Sequence, residues 1–261
     1  MCLIYLAHRV DPRFRLVVAA NRDEFHARET RPANWWDDDA GILAGRDLRA
    51  GGTWMGVSRS GRFAALTNFR DPQGNRPDAR SRGFLASAFL KSGASALAYL
   101  EEVASDAQRY NGFSLLVHDG TSLCFYSNRF AGNDDDSAPS KVAPGVHGLS
   151  NHLLDTPWPK VEEGKLDMLS VLARGAPTPA SLLGLLDRRQ AVDDARLPDT
   201  GVGLAREREL APRFIHNAQY GTRSSTVIMV AADGEVLFRE RSFDADGEAH
   251  GDEVHTFSIE A

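Results

Sequence analysis

The chain has 261 residues, 42% hydrophobic and 25% charged, enough apolar material for a full core without disulfides or a structural metal. Its formal charge is −6, from 36 acidic and 30 basic residues, so it lacks the basic excess of a general nucleic-acid or anionic-membrane binder. Two cysteines, Cys2 and Cys124, are too few for a disulfide scaffold, and the eight histidines form no HxH or HExxH pair for a metal.

In chain order, Met1-Cys2-Leu3-Ile4-Tyr5-Leu6-Ala7 is apolar for only a few residues before His8 and Arg9. It has no basic n-region and no cleavage signal, and no later apolar stretch approaches the roughly 20 residues that cross a bilayer. The expectation is a cytoplasmic protein without an integral membrane segment. Cys2–Ala7 and Arg15–Ala20 read as strands joined by a polar loop containing Asp11-Pro12. If Ala7 opposes Arg15 in an antiparallel hairpin, paired numbers sum to about 22. Cys2 then lies opposite Ala20, beside Asn21-Arg22-Asp23-Glu24. Thr53–Ser58 and Arg62–Asn68 predict a second hairpin, turning at Ser60-Gly61. Helices over Ser81–Lys91 and Ala94–Gln108, separated by Gly93, follow from apolar residues at mixed three- and four-residue spacing. Strands resume at Gly112–His118 and Ser122–Ser127 around Asp119-Gly120. Asn133-Asp134-Asp135-Asp136 reads as an exposed loop and Gly145–Ser150 as a short strand. Helices are expected over Trp158–Arg174 and Pro179–Arg189, with irregular, exposed chain over Gln190–Glu209. Strands close the sequence at Thr222–Ala231, Glu235–Phe243 and Glu253–Ile259. Consecutive hairpins argue for antiparallel sheets rather than alternating βαβ units. The expected fold class is α+β: one domain over residues 1–261, a four-layer αββα sandwich of two antiparallel sheets flanked by helix pairs.

Gly41–Gly56 lacks the lysine and serine of a phosphate loop, Gly201-Val202-Gly203 lacks a third glycine in place, and no GxSxG elbow occurs. Neither aspartate triplet has an EF-hand pattern. No cofactor and no metal is expected. Cys2 stands apart, because a small second residue permits removal of the initiator methionine. Cys2 would then carry both a thiol, ordinarily titrating at about 8.5, and an α-amine, ordinarily titrating at about 7.7–8.0. One residue would supply nucleophile and base. The competing reading is a cysteine packed in a core strand. Asn21-Arg22-Asp23-Glu24 follows a buried-looking strand, where a loop cap is the alternative. Asn68 and Asn151 each end a strand and also suit turns. Arg223 opens a strand and also suits a solvated strand end.

Read together, these segments resemble the NRDE family, also called the transport and Golgi organisation protein family, whose signature is Asn21-Arg22-Asp23-Glu24. Gly51-Gly52-Thr53-Trp54-Met55-Gly56, Leu66-Thr67-Asn68-Phe69-Arg70, Gly148-Leu149-Ser150-Asn151 and Tyr220-Gly221-Thr222-Arg223-Ser224-Ser225 look like further blocks of it. The likeness spans almost the whole chain. More distantly, the chain is similar to choloylglycine hydrolases and penicillin V acylases. These are N-terminal-nucleophile (Ntn) hydrolases of αββα fold that cleave non-peptide amides. The resemblance implies Cys2 as the processed nucleophile and Asp23 as the carboxylate anchoring its amine. It implies Asn68 and Asn151 around the oxyanion and Arg223 near the nucleophile, with Asn21 and Arg22 in support. Those hydrolases carry an arginine three residues before the aspartate, where this chain has Ala20; Arg22 is the candidate substitute. One implied function is hydrolysis of a small-molecule amide or related acyl substrate. The other is binding or trafficking of a hydrophobic ligand such as haem or a lipid, the roles associated with the family. A third is an inert Ntn fold serving as an interaction module.

On this reading the mature chain is expected to start at Cys2. Intact mass of the protein made in its native host checks this, and a mass that retains Met1 excludes the hydrolase mechanism.

Overall fold

A computed structural model describes residues 2–72, 74–130 and 138–260. The loop expected at 133–136 lies outside the described residues. In chain order the elements are β1 (Cys2–His8), β2 (Phe14–Phe25), β3 (Thr30–Trp36), β4 (Asp39–Asp47), β5 (Met55–Ser58) and β6 (Phe63–Asn68). Then come α1 (Gly83–Lys91), α2 (Ala96–Ser105), β7 (Phe113–His118), β8 (Leu123–Ser127), β9 (Ser140–Lys141) and β10 (Gly145–Leu149). The chain closes with α3 (Pro159–Ala173), α4 (Pro179–Leu186), α5 (Leu204–Leu210), β11 (Tyr220–Ala231), β12 (Glu235–Phe243) and β13 (Ala249–Ser258).

These elements fall into two compact units. The first comprises Met1–Ala27, Pro144–Ser150 and Leu154–Thr256. Its antiparallel sheet runs β10-β1-β2-β11-β12-β13. Leu3, Tyr5, Ala7, Val17, Ala19 and Val227 on one sheet face pack against Trp158, Val161 and Met168 of the α3 region and Leu182 and Leu186 of α4. Pro159 opens α3, where its fixed φ suits the first turn. Thr178 and Ser181 form a reciprocal capping box at the start of α4. The second unit comprises Arg28–Ala143, Asn151–Leu153 and Phe257–Ala261. Its antiparallel sheet runs β3-β4-β5-β6-β7-β8-β9. There Ile42, Leu66, Leu115, Val117 and Cys124 pack with Leu85, Phe89, Leu100 and Val103 of α1 and α2. Two antiparallel sheets, each with a helix pair on one face, are the layers expected of the αββα class. No described helix is long and apolar enough to cross a membrane.

The structure corrects the predicted hairpin register. Cys2 opposes Arg22, and Ile4 takes Ala20. The cause is the Asp11 turn. Arg9 adopts φ 53°, Phe14 N donates to Asp11 O at 3.0 Å, and the Asp11 carboxylate accepts from Arg13 N and Nε. The turn is thereby centred on Pro12 rather than Asp11, which moves the sum of paired numbers from 22 to 24. A two-residue shift leaves every side chain on its own face. β2 also runs on to Phe25, so the Asn21–Glu24 signature is strand, not the loop after one. Two further differences have local causes. β3 and β4 were not resolved as elements in the sequence, because Pro32 and the run Trp35–Asp39 break strand alternation. β3 absorbs them with two register shifts, and the Trp36 indole donates to Ala44 O at 3.1 Å. In the stretch expected to be irregular, α5 forms around buried Glu207, whose Oε1 accepts from Thr200 N and Oγ1.

Gly164 marks the closest approach of α3 to β1. Tyr5 Oη donates to Lys160 O at 2.6 Å, and a Cβ at Gly164 would land inside the Tyr5 ring. Alanine gains about 1 kcal/mol of helix propensity over glycine, but overpacking a fully buried ring costs about 1–3 kcal/mol or more. The clash wins because Tyr5 has no free side to move to. Gly164→Ala is expected to destabilise the protein by about 1–2 kcal/mol net, read as a lower urea midpoint at unchanged m.

Candidate active site

The site is built on three neighbouring strands. Cys2 on β1 opposes Arg22 on β2, and Arg22 opposes Ser224 on β11. Directly opposed residues share a face. Leu3, Tyr5 and Ala7 belong to the helix-packed face, so Cys2, Arg22 and Ser224 lie on the other. Alternation along β2 therefore divides the signature: Asn21 and Asp23 point to the helix face, Arg22 and Glu24 to the cysteine face.

On the helix face Asn21 is fully engaged. Its Nδ2 donates to Leu186 O at 3.1 Å and Arg213 O at 2.8 Å, and its Oδ1 accepts from Ser225 Oγ at 2.6 Å. Asn21 thus ties the end of α4 to the sheet and sits on the face opposite the thiol. Asp23 Oδ1 accepts from Thr222 Oγ1 at 2.7 Å, and Thr222 Oγ1 accepts from Ile215 N at 2.9 Å. Tyr220 Oη donates to Asp23 O at 2.9 Å. Burial pushes the Asp23 carboxyl above the usual carboxylate range, against the pull of the Lys160 ammonium, the Thr222 bond and Arg22. In the antiparallel pair the nitrogen of Cys2 lies on the Asp23 side of Arg22. The Asp23 backbone is therefore the strand neighbour of the atom that becomes an amine on methionine removal, and the Asp23 charge acts on the Cys2 thiol.

Cys2 is a free thiol, 8% exposed. Burial raises its pKa, Asp23 and Glu24 add to the rise, and Arg22 opposes it. Arg223 occupies a bulge between the Thr222–Asp23 and Ser224–Arg22 pairs, and a bulge re-aims its side chain. Its Nη1 donates to Phe25 O at 3.1 Å and His26 O at 3.0 Å. Its hydrogen bonds run to these carbonyls rather than to Asp23. Burial and the adjacent Arg22 lower its pKa, and Glu24 opposes them.

Asn68 and Asn151 come together in the second unit. Asn151 is fully buried; its Nδ2 donates to the Asn68 carbonyl at 2.9 Å, and its own carbonyl accepts from Arg70 N at 2.7 Å. Asn68 enters this contact through its backbone. The structure thus groups Cys2, Arg22, Asp23 and Arg223 on the strands of the first unit, and the two asparagines in the second.

Sequence reasoning passed over Glu240 and Lys160. Glu240 is buried on β12, with Oε2 accepting from Thr226 Oγ1 at 3.0 Å and Ser224 Oγ at 3.3 Å. Its signal was parity, since it shares the buried alternation of Val236 and Phe238. Lys160 is buried at the start of α3 and donates from Nζ to Leu210 O at 2.8 Å; a single lysine beside a helix-opening proline gave no comparable sign. Among the described residues, no three His, Cys, Asp or Glu side chains gather as metal ligands.

Residues 1–245 match the family described as Transport and Golgi organisation 2. The chain belongs to this family. It is 40% identical over 268 residues to the Transport and Golgi organization protein 2 homolog of Bos taurus, and 39% identical to that of Homo sapiens, in each case across 93% of both chains. Among solved structures, the Caenorhabditis elegans N-acylethanolamine-hydrolyzing acid amidase ortholog aligns with 87% of this chain and 92% of its own, at a TM-score of 0.46 and 11% identity. The Asn21–Glu24 segment lies within the matched residues, and its side chains are split between two sheet faces.

The raised thiol pKa sets an expectation for reactivity. A raised pKa leaves little thiolate at pH 7, so Cys2 in a chain retaining Met1 should alkylate slowly and accelerate only as pH climbs past the ordinary thiol range. Removing Met1 puts an ammonium beside the sulfur and favours the thiolate. Iodoacetamide is expected to label Cys2 of the Met-free chain before Cys124, whose thiol is also raised by burial. Peptide mass mapping over time checks the order, and preferential labelling of Cys124 overturns the nucleophile assignment.

Proposed function

We propose that the chain is an N-terminal-cysteine hydrolase of a small-molecule amide or related acyl bond, working in the cytoplasm. The observation that supports it is the β1–β2 register, which turns the Cys2 nitrogen toward Asp23, a buried residue whose carboxyl accepts from Thr222 and whose backbone carbonyl accepts from Tyr220. A free amine there has a partner that fixes its orientation. Two reduced cysteines suit a reducing compartment.

The chemistry follows from that pairing. With Met1 removed, the α-amine accepts the Cys2 thiol proton and the thiolate attacks the substrate carbonyl. The tetrahedral oxyanion collapses, the amine leaving group takes the proton from the α-ammonium, and a thioester to Cys2 remains. Water attacks the thioester, giving its proton to the α-amine. The acid departs and the thiol is restored. In this reading oxyanion stabilisation falls to Asn68 and Asn151 on the family resemblance alone. Arg22 supplies the cation that the hydrolases draw from the position of Ala20; it opposes Cys2 directly and pulls the thiol pKa down.

A second reading has an observation of its own. Val10, Pro12, Leu169, Leu172 and Ala173, together with the Asp11–Arg13 pair, line a mostly apolar groove of ≈ 460 Å³ in the first unit, which suits a binder of hydrophobic ligands with a polar end. Turnover separates the two. Cys2→Ala is expected to abolish hydrolysis of a panel of N-acyl amides and thioesters, and Cys2→Ser to leave at most weak activity, because a hydroxyl is scarcely ionised at neutral pH. If Met-free wild type turns over nothing and Cys2→Ala binds haem or acyl chains as well as wild type, the binding reading replaces the hydrolase.

A further inference from the structure

Glu240 stands apart from the other charges of β12. Its sequence neighbours Arg239 and Arg241 point to the opposite face, where both hold Asp252. Glu240 opposes Thr226, two residues along β11 from Ser224, so it shares the face of Cys2, Arg22 and Ser224. It is 2% exposed, and its Oε2 accepts from Thr226 Oγ1 at 3.0 Å and Ser224 Oγ at 3.3 Å. Two neutral hydroxyls orient a buried carboxylate without neutralising it. Such a group keeps its charge only beside a cation.

Few cations can serve. Among the described residues, the buried lysines and arginines are Arg22, Arg62, Lys160 and Arg213. Arg62 belongs to the second unit. Lys160 sits on α3, and Arg213 pairs with Asp167 of the same helix, on the other side of the sheet. The partly buried Arg223 uses Nη1 on the Phe25 and His26 carbonyls, and the acid that acts on it is Glu24. Arg22 is left. It lies directly opposite Ser224, whose hydroxyl reaches Glu240. The next row along the same face reads Glu240–Thr226–Ala20–Ile4. The single methyl of Ala20 leaves the long Arg22 side chain a path over the sheet toward Glu240. Arg22 thus has a thiol on one flank, across β1, and a buried carboxylate on the other.

We propose that Glu240 is a positioning residue of the candidate active site: it draws the Arg22 guanidinium toward β12 and so limits the positive charge that reaches the Cys2 sulfur. Its bearing on catalysis rests on the hydrolase reading; the coupling of Glu240, Arg22 and Cys2 does not require turnover. Glu240 acts on the thiol through Arg22, whereas Asp23 and Glu24 act on it directly.

The test uses the full Met-free chain as wild type, Glu240→Gln, Arg22→Met and the double variant. Peptide mass mapping follows alkylation of Cys2 by iodoacetamide as a function of pH. Glu240→Gln keeps the shape and loses the charge, so Arg22 turns to the sulfur and the thiolate fraction rises. Alkylation at neutral pH is expected to quicken about threefold or more, and the same substitution on the Arg22→Met background should change it by less than about 1.5-fold. Urea midpoints give a second reading that stands even if Glu240→Gln does not fold. Removing one member of a buried pair destabilises more than removing both, so the double variant should be more stable than Arg22→Met. No acceleration in Glu240→Gln, an equal acceleration without Arg22, or a double variant no more stable than Arg22→Met overturns the proposal. Turnover of an N-acyl amide separates it from the reading beneath it. On that reading Glu240→Gln moves the acid limb of the kcat/KM profile to lower pH. If the coupling stands and wild type hydrolyses nothing, the hydrolase reading fails alone. If wild type hydrolyses the amide and the coupling is absent, the positioning role fails alone.

Discussion

The pairing of β1 with β2 governs the candidate site. With Cys2 opposite Arg22, strand alternation sends Asn21 and Asp23 to one face and Arg22 and Glu24 to the other. A one-residue slip would exchange those sets and put Asn21 or Asp23 in place of Arg22 opposite Cys2. The register is held from both ends. The Asp11 turn closes the hairpin, and β11 repeats the frame on the far edge of β2. Leu3, Tyr5 and Ala7 then commit one face to the helices, which leaves Cys2 no choice of side.

Around that frame the polar groups on the two faces do different work. On the helix face Asn21 and Asp23 are tied down by Leu186, Arg213, Ser225 and Thr222. Burial of such groups is tolerable only when their hydrogen bonds are made. On the cysteine face the side chains are charged, and the charges of Arg22 and Glu24 act on both the Cys2 thiol and the bulged Arg223. One four-residue motif therefore contributes both an anchor for the fold and the electrostatics of a thiol.

Much of this was legible in the residues. Apolar runs with Gly and Asp turns marked most strands and the first four helices, and Cys2 stood out because position two allows an amine and a thiol on one residue. The register was off by two because the side-chain turn at Asp11 centres the loop one residue further along, with no glycine to announce it. β3 and β4 were hidden by Pro32 and by consecutive tryptophans and aspartates, whose alternation is restored only by bulges. α5 was hidden because its buried position is a glutamate, Glu207, which reads as solvent-facing until Thr200 is known to bond it. Asn21 carried the motif but not its orientation. Which face a strand residue takes is a property of its neighbours in space, and here those are Leu186 and Arg213, more than 160 residues away along the chain.

The burial of Cys2 has a consequence in time. On the hydrolase reading an aminopeptidase has to reach the bond before Cys2, which is 8% exposed once β1 is in its sheet. A hairpin such as β1–β2 closes in about 1–10 μs, whereas β10, which lines the other edge of β1, is synthesised more than 100 residues later. At about 5–20 residues per second that interval is on the order of 10 s. On the hydrolase reading, trimming and folding therefore run against a common clock on the ribosome. A chain whose sheet closes first is sealed with its nucleophile's nitrogen still acylated, so the active fraction of this protein would be fixed at synthesis rather than by any later equilibrium.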